Sequence, residues 1–515
     1  MIYPMNSPQS GDMSGKDQHY EHTTGQGEDG VAGGDAPSAA EHPSRPATSL
    51  FAASEVGPRH PESSRPIDAA SATTRDQRAK TIGIVGNYGN DNAGDEAILM
   101  GLLSQLRAED PSVKIVVFSM NPTQSQRAHG AQCFPAQWSV REQREPGAPA
   151  GDASPQTSAS RGLLHPLKMW LRRHRRARTL RRCLVYMDTA LMHPRFWGQT
   201  FSRLRNIDLL LIGGGNLLMD LFDRMPPLYT MYAVLARLSR AKVMYYGVGA
   251  GPISSLPGKL CIKTGTACAQ YVTVRDAESA EVLEGLRIKP PVAIAADPAL
   301  GISCERIPTQ LSSLQLGIAD GAPLIGVSVI PFRDPRYWPD PDRQKYQDYL
   351  ERMARVVDSI ASEFSHQVVM LHTKFPADMH AAQDVRGRLA HADSVIILDE
   401  SVGPLELIGV MKSLTCVVGT RLHSLILATA MGVPVVAIAY QRKVSSFMNR
   451  LGQADMVIGL EEMTPELVTA RMRHLFGEYE ARRARLRRET SRLQLEARKS
   501  AIIALDILAG NGGGM

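Results

Sequence analysis

Short apolar runs alternate with longer amphipathic stretches from residue 81 to about residue 463. The first run, Thr81-Ile82-Gly83-Ile84-Val85, is short enough for a buried strand. A Gly/Asn/Asp turn follows, then helical periodicity over 94–107 and a second apolar run over 114–118. That order predicts a βαβ unit and a parallel sheet. The alternation resumes with strands at 208–212, 242–246, 271–274 and 292–295, and helices at 228–239 and 277–285. A second series of strands lies at 324–329, 368–371, 395–398, 414–418 and 435–439. Helices at 343–364, 380–390, 405–412 and 422–431 separate them. Two consecutive series joined near 302–322 predict an α/β protein with two Rossmann-like domains, 79–305 and 320–463, facing a cleft. A last charged helix over 464–508, capped by Thr464 with Pro465 after it, is placed to pack back on the first domain.

Two stretches break this pattern. Residues 1–78 are rich in Ser, Gly, Pro and charge without apolar periodicity, which predicts a disordered tail. Residues 139–200 read as an insert, linker-like at first and then a basic, Leu-containing helix over 163–187. Composition changes the picture in three ways. Hydrophobic content of 43% suffices for packed cores, while 6% aromatics argues against a stacking surface for bases or long glycans. The net charge of +6 is local: residues 161–182 hold nine Lys or Arg and no Asp or Glu, and the rest of the chain carries −3. Nucleic-acid binding is therefore not expected. The basic run 167–182 is a candidate for peripheral contact with anionic lipid at the inner membrane face, a solvated basic helix being the plain alternative. The six cysteines form no C-x-x-C pair and read as free thiols in a reducing cytoplasm. No apolar h-region and no apolar stretch of about eighteen residues is seen, so a cytoplasmic protein is expected.

Ligands of open α/β sheets bind beyond the carboxyl ends of the strands, so the residues after each strand carry the candidate chemistry. The first loop, Gly86 to Glu96, is neither G-x-G-x-x-G nor a P-loop. Its Asn92 and Asp95 suit sugar hydroxyls, though helix capping would also explain them. Gly213-Gly214-Gly215-Asn216 and Gly247-Val248-Gly249-Ala250-Gly251 permit either close ligand approach or tight packing. Arg275, ending the strand at 271–274, could clamp a carboxylate or phosphate, or pair with Asp276 or Glu278. In the second domain Gly419-Thr420-Arg421-Leu422-His423 runs from a strand into an apolar helix. Cations in a first helical turn oppose the macrodipole, so a bound anion is the expected compensation. His423 adds a group that exchanges protons near neutral pH. Lys443, twenty residues later, can reach the same cleft. His372 and Asp378 are further cleft candidates. No G-x-S-x-G, H-E-x-x-H or metal-binding DxD pair stands at a strand end, and no resident cofactor or metal is expected.

The ordered set GNYGNDNAGDEAIL, LLIGGGNLL, YYGVGAGPI, VTVRDAESAEVL, Asp297-Pro298 and VVGTRLHSLILATAMGVPVVAIAY, followed by Lys443, resembles the polysaccharide pyruvyl transferase family over about 80–460. The resemblance implies a glycosyltransferase-B-like fold. It implies phosphoenolpyruvate as donor, installed as a pyruvate ketal on two hydroxyls of a glycan acceptor, which could be polyprenyl-linked, during cell-surface or exopolysaccharide synthesis. It places Arg275, His423 and Lys443 at the donor, with Arg421, Gly419 and Thr420 beside them. The loop of Asn92 and Asp95 would face the acceptor, with Gly214 and Asn216 nearby. Two other readings compete: a nucleotide-sugar glycosyltransferase of the same fold, and a non-catalytic polysaccharide-assembly protein. The non-acidic run Tyr440-Gln441-Arg442-Lys443 disfavours the first. The complete set of Arg275, Arg421, His423 and Lys443 disfavours the second.

Overall fold

Of the 515 residues, the computed structural model describes 79–138, 175–302, 307, 323–338, 340–398 and 402–511, without the side chains of 175–178. The expected tail at 1–78 and most of the insert, 139–174, lie outside these residues.

The period-2 and continuous apolar runs form two parallel sheets. The first contains β1 (Thr81–Val85), β2 (Lys114–Ser119), β3 (Gln132–Pro135), β4 (Leu209–Gly213), β5 (Lys242–Val248), β6 (Tyr271–Val274) and β7 (Val292–Ile294), in the order β3-β2-β1-β4-β5-β6-β7. The second contains β8 (Leu324–Ser328), β9 (Gln367–Leu371), β10 (Val395–Ile397), β11 (Cys416–Gly419), β12 (Val435–Ala439) and β13 (Val457–Gly459), in the order β10-β9-β8-β11-β12-β13. Both orders reverse once, at β1/β4 and at β8/β11. These are the points where the crossovers diverge and leave a crevice.

Helices cover the strands because fully buried strands need apolar cover on both faces. In the first sheet these are α1 (Ala93–Glu109), α2 (Pro122–His129), α3 (Arg175–Leu191), α4 (Pro194–Leu204), α5 (Met225–Leu238), α6 (Leu256–Ala267) and α7 (Ala277–Leu286). Around the second lie α8 (Arg343–Glu363), α9 (Ala377–Arg386), α10 (Pro404–Lys412), α11 (Leu422–Ala430), α12 (Arg442–Arg450) and α13 (Pro465–Gly477). Short β3 and α6 were not visible as periodic runs, α6 because Pro257, Gly258 and Gly265 interrupt it. The expected insert also ends earlier than 200. Phe196 and Trp197 of α4 are buried in the core against Tyr232 of α5, so α4 belongs to the first domain.

The terminal helix is two helices. α13 begins at the Thr464 cap, whose side chain accepts from Leu467 N, and stops at Gly477. The long α14 (Tyr479–Ala509) then runs back over the first sheet. Lys80 and Lys242 donate to its last-turn carbonyls, Leu508 O and Ile507 O. Ser500 bonds Thr273 of β6, and Gln494 donates to Leu300 O. Its buried Ala497, Ala501 and Ala504 let the helix lie close, and one apolar core runs continuously from α1 through α14 into the second sheet.

Candidate active site

The carboxyl edges of the two sheets meet at the loop after β1. Phe375 N donates to Asp91 O and Ala93 N to Thr373 O, and Asn92 bridges Lys374, so the loop after β9 is stitched to the first turn of α1. Asn92 is the cap of α1: its Oδ1 accepts from Gly94 N at 3.0 Å. Its amide donates to Asp95 Oδ2 at 2.8 Å, and Asn87 donates to the same oxygen at 2.8 Å. Asp95 is buried at the helix start. Burial, with Glu96 beside it, pushes its carboxyl up to about 7 against the opposing pull of Asn87, Lys374 and Arg275. Glu96 is fixed elsewhere, accepting from Gly89 N and meeting His129 Nε2 at 2.7 Å.

Arg275 sits just beyond β6 with 5% of its side chain exposed. Its Nη1 donates to Asp297 Oδ2 at 3.0 Å. Its Nε lies 3.4 Å from Asp276 Oδ2 and makes no hydrogen bond. The structural pair expected with Asp276 or Glu278 is thus mainly a pair with Asp297, while Glu278 accepts instead from Ser446 of α12. Asp297 is a pivot. Its Oδ1 accepts from Ala299 N, and its Oδ2 stands 3.9 Å from His423 Nε2 as well as beside Arg275.

His423 enters from α11 of the second domain and lies against Gly94 of α1. A Cβ at Gly94 would collide with the imidazole, which is why the helix start carries no side chain there. Gly249 plays the same part for Arg275, whose Nη2 would lie 3.0 Å from an added Cβ. His423 Nε2 is buried without a hydrogen-bond partner. Burial lowers its pKa to about 4, Asp297 opposing and Arg275, Lys443 and Arg421 assisting the shift. Where the sequence suggested proton exchange near neutral pH, desolvation among cations disfavours the charged imidazole in the free protein. Lys443, in the first turn of α12, is pulled down to about 8 by burial and by Arg275 and Arg421. Arg450 of the same helix donates to Arg275 O and Ala295 O, tying α12 to the first domain.

Arg421 also departs from expectation. It is the cap residue of α11, with φ −81° and ψ 130°, and not part of its first turn. Its compensation is internal: Nε meets Asp378 Oδ1 at 3.0 Å and Oδ2 at 3.1 Å, and Nη2 also contacts Asp378. Asp378 is fully buried and takes further bonds from Thr373 N and Lys374 N. The pair holds Arg421 charged. Thr420 serves the backbone, its hydroxyl donating to Ser328 O at 2.8 Å across β8 and β11. Gly419 ends β11, packed against Ser424 and Leu425. Gly214 has φ +70°, and a side chain there would strike Ile98, so it answers to packing of α1. Asn216 donates to Gly251 O at 3.0 Å and holds the two glycine loops together.

The structure therefore brings Arg275, His423, Lys443 and Arg421 together with Asp95 across the cleft. Thr420, Gly214 and Asn216 support the backbone around them. Asn87, Asp297 and Arg450 were not singled out from sequence as working residues. Asn87 stood in the first loop and Asp297 in a noted Asp-Pro pair, but nothing local reveals that Asp297 meets Arg275 from another element or that Arg450 reaches Arg275 and Ala295 across more than a hundred residues.

The sequence model of the polysaccharide pyruvyl transferases matches residues 92–442. The amylovoran biosynthesis protein AmsJ of Erwinia amylovora is 23% identical over 410 residues, covering 77% of this chain and 92% of that one. Among solved structures, a candidate UDP-N-acetylglucosamine 2-epimerase from Listeria monocytogenes is similar with a TM-score of 0.51 at 11% identity, covering 84% of this chain and 97% of that one. That likeness concerns the fold, the glycosyltransferase-B-like pairing of two Rossmann-like domains.

Proposed function

This chain belongs to the polysaccharide pyruvyl transferase family, and from that premise we propose that it transfers pyruvate from phosphoenolpyruvate to two hydroxyls of a sugar, as a ketal, in exopolysaccharide assembly. The similarity to the amylovoran biosynthesis protein supports the setting. The observation that carries the donor is the trio of Lys443, Arg275 Nε and His423 Nε2, the last two buried without hydrogen-bond partners, at the facing strand ends. Buried polar atoms are ordinarily paired. A small ligand with a carboxylate and a phosphate supplies acceptors for all three, with Arg421 behind them on its Asp378 mount.

In this reading the methylene carbon of the donor takes a proton, and C2 becomes electrophilic. One sugar hydroxyl attacks C2 and gives its proton to Asp95, whose pKa of about 7 suits a general base. The C2–O bond to phosphate then breaks, and the electron pair leaves with phosphate. The second hydroxyl closes the ketal at C2, and its proton passes to the departing phosphate. His423 is the proton donor to the methylene carbon. Its low pKa reflects burial among cations, and a multiply charged anion seated beside it reverses that shift. Proton return from Asp95 to His423 completes the cycle through solvent.

The test is donor turnover. Purified protein with phosphoenolpyruvate and a mixture of glycans releases phosphate, and without glycan it does not. Consumption of a UDP-sugar with phosphoenolpyruvate left intact contradicts the proposal and returns the glycosyltransferase reading.

A further inference from the structure

An exposed apolar band crosses the first domain over α3, the loop at 217–224 and α6. On α3, Leu180, Leu184, Met187 and Leu191 recur at helical spacing, and each is more than half exposed. The opposite side of that helix is the attached one: Thr189 is buried, and Arg182 bonds Asp223 Oδ1 at 3.0 Å and Asp220 O at 3.0 Å. In the loop, Leu221 and Phe222 are half exposed. On α6, Leu256 and Leu260 are 79% and 69% exposed and share a helix face with exposed Lys259 and Lys263. Asp220 locks the pieces together by accepting from Ser254 N and Ser255 N at the start of α6. Eight of the fifteen exposed large hydrophobic side chains among the described residues fall in these segments. Such concentration on a water-facing surface marks an interaction site.

The charge of the band narrows the partner. α6 carries two lysines and no carboxylate. The acids nearby are each occupied: Asp220 and Asp223 by Arg182, and Asp188 by Arg224 at 3.6 Å. The sequence leading into α3 adds the basic run within 161–182. A second copy of this chain, meeting the band with its own, would set these cations against themselves. We propose that the band docks on an anionic bilayer surface, its leucines and Phe222 entering the headgroup–acyl boundary and its lysines meeting lipid phosphates. Arg181 and Arg182, the described end of the basic run, are committed to Asp223 and Asp220, so the contact falls to α6 and the outer face of α3. The loop at 217–224 begins at the carboxyl edge of β4. There Leu218 N bonds Gly249 O, and Gly249 abuts Arg275. Docking therefore brings the cleft close to glycans displayed on a membrane, a clause that rests on the proposed function.

Co-sedimentation of the full chain with phosphatidylcholine vesicles, with and without phosphatidylglycerol, tests the docking without any turnover. Wild-type protein is expected to sediment with the phosphatidylglycerol vesicles and to release as salt rises. The pairs Leu256→Gln/Leu260→Gln and Leu184→Gln/Met187→Gln each lower the partition coefficient at least about tenfold, with far-UV dichroism and melting temperature unchanged. Lys259→Glu/Lys263→Glu removes the preference for the anionic vesicles. Equal sedimentation of wild type and variants overturns the proposal. So does vesicle binding that emerges only after residues 139–174 are deleted, which assigns the band to that segment. Loss of a concentration-dependent dimer in the variants, with no vesicle binding by the wild type, assigns it to a second copy and also overturns it. Because phosphoenolpyruvate is absent throughout, failure here leaves the donor reading standing, and failure of the donor assay leaves the docking standing.

Discussion

Asp95 and His423 are pushed in opposite directions by the same burial. Each becomes harder to charge, so the carboxyl rises to about 7 and the imidazole falls to about 4. For Asp95 the folded pKa lies above its unfolded value, so the ionised fold is penalised above pH 7 and the penalty vanishes below about pH 4. Asp95→Asn keeps an oxygen to accept from Asn87 and Asn92. The variant should melt at or above wild type at pH 8, with a gain of about 1–3 kcal/mol, while turnover falls at least about a hundredfold. Lower stability with retained turnover would make Asp95 a structural residue only. Asp95 and Lys443 set two limbs of the pH profile once the bound donor anion keeps His423 protonated. kcat should rise as Asp95 ionises and fall as Lys443 loses its proton, groups that stand at about 7 and about 8 in the free protein. Lys443→Arg, charged at any working pH, should move the alkaline limb upward. An alkaline limb that stays in place assigns it to another group.

At the scale of elements, the site depends on how closely α1 and α11 approach. Gly94 is the point of contact, and Ala there is favoured by helix propensity by about 1 kcal/mol. Yet its methyl group would occupy the space of the His423 ring. Gly94→Ala should therefore leave the melting temperature within a few degrees while lowering kcat/KM at least about tenfold. Unchanged kcat/KM would show that His423 can swing aside without cost. Such contacts explain what was legible in the sequence. The alternation of apolar runs and turns is local, so the strands that lead into Arg275, His423 and Lys443 could be placed and their carboxyl ends marked. Partnerships are not local. Asp378 reaches Arg421 across 43 residues and Asp297 reaches Arg275 across 22, both between separate elements. Without those carboxylates, Arg421 looked like a cation awaiting a ligand. The core membership of α4 was hidden for a related reason: Phe196 and Trp197 follow a basic, linker-like stretch that masks the return of a buried face.

On the scale of the whole molecule, α14 is the strap that makes the two sheets one structure. Ala501 lies on its buried side with no exposed surface. Ala501→Glu would place an unpaired carboxylate against the first domain, and urea unfolding should show a loss of at least about 3 kcal/mol. An unchanged midpoint would mean that the strap is detachable. The strap matters because the proposed site draws its residues from both sheets. His423 and Lys443 come from the second, Asp95 and Arg275 from the first, and only a fixed mutual placement lets one sugar oxygen reach Asp95 while the donor carbon lies beside His423. The most direct test of this account is transfer itself. Phosphoenolpyruvate labelled with carbon-13 at its methylene carbon is incubated with the protein and glycan acceptors, and the glycans are analysed by mass spectrometry and carbon NMR. The account predicts an acid-labile ketal whose methyl carbon carries the label, with one phosphate released per ketal and none formed by His423→Ala. Label that stays in phosphoenolpyruvate with every acceptor, while a nucleotide sugar is consumed, would contradict it.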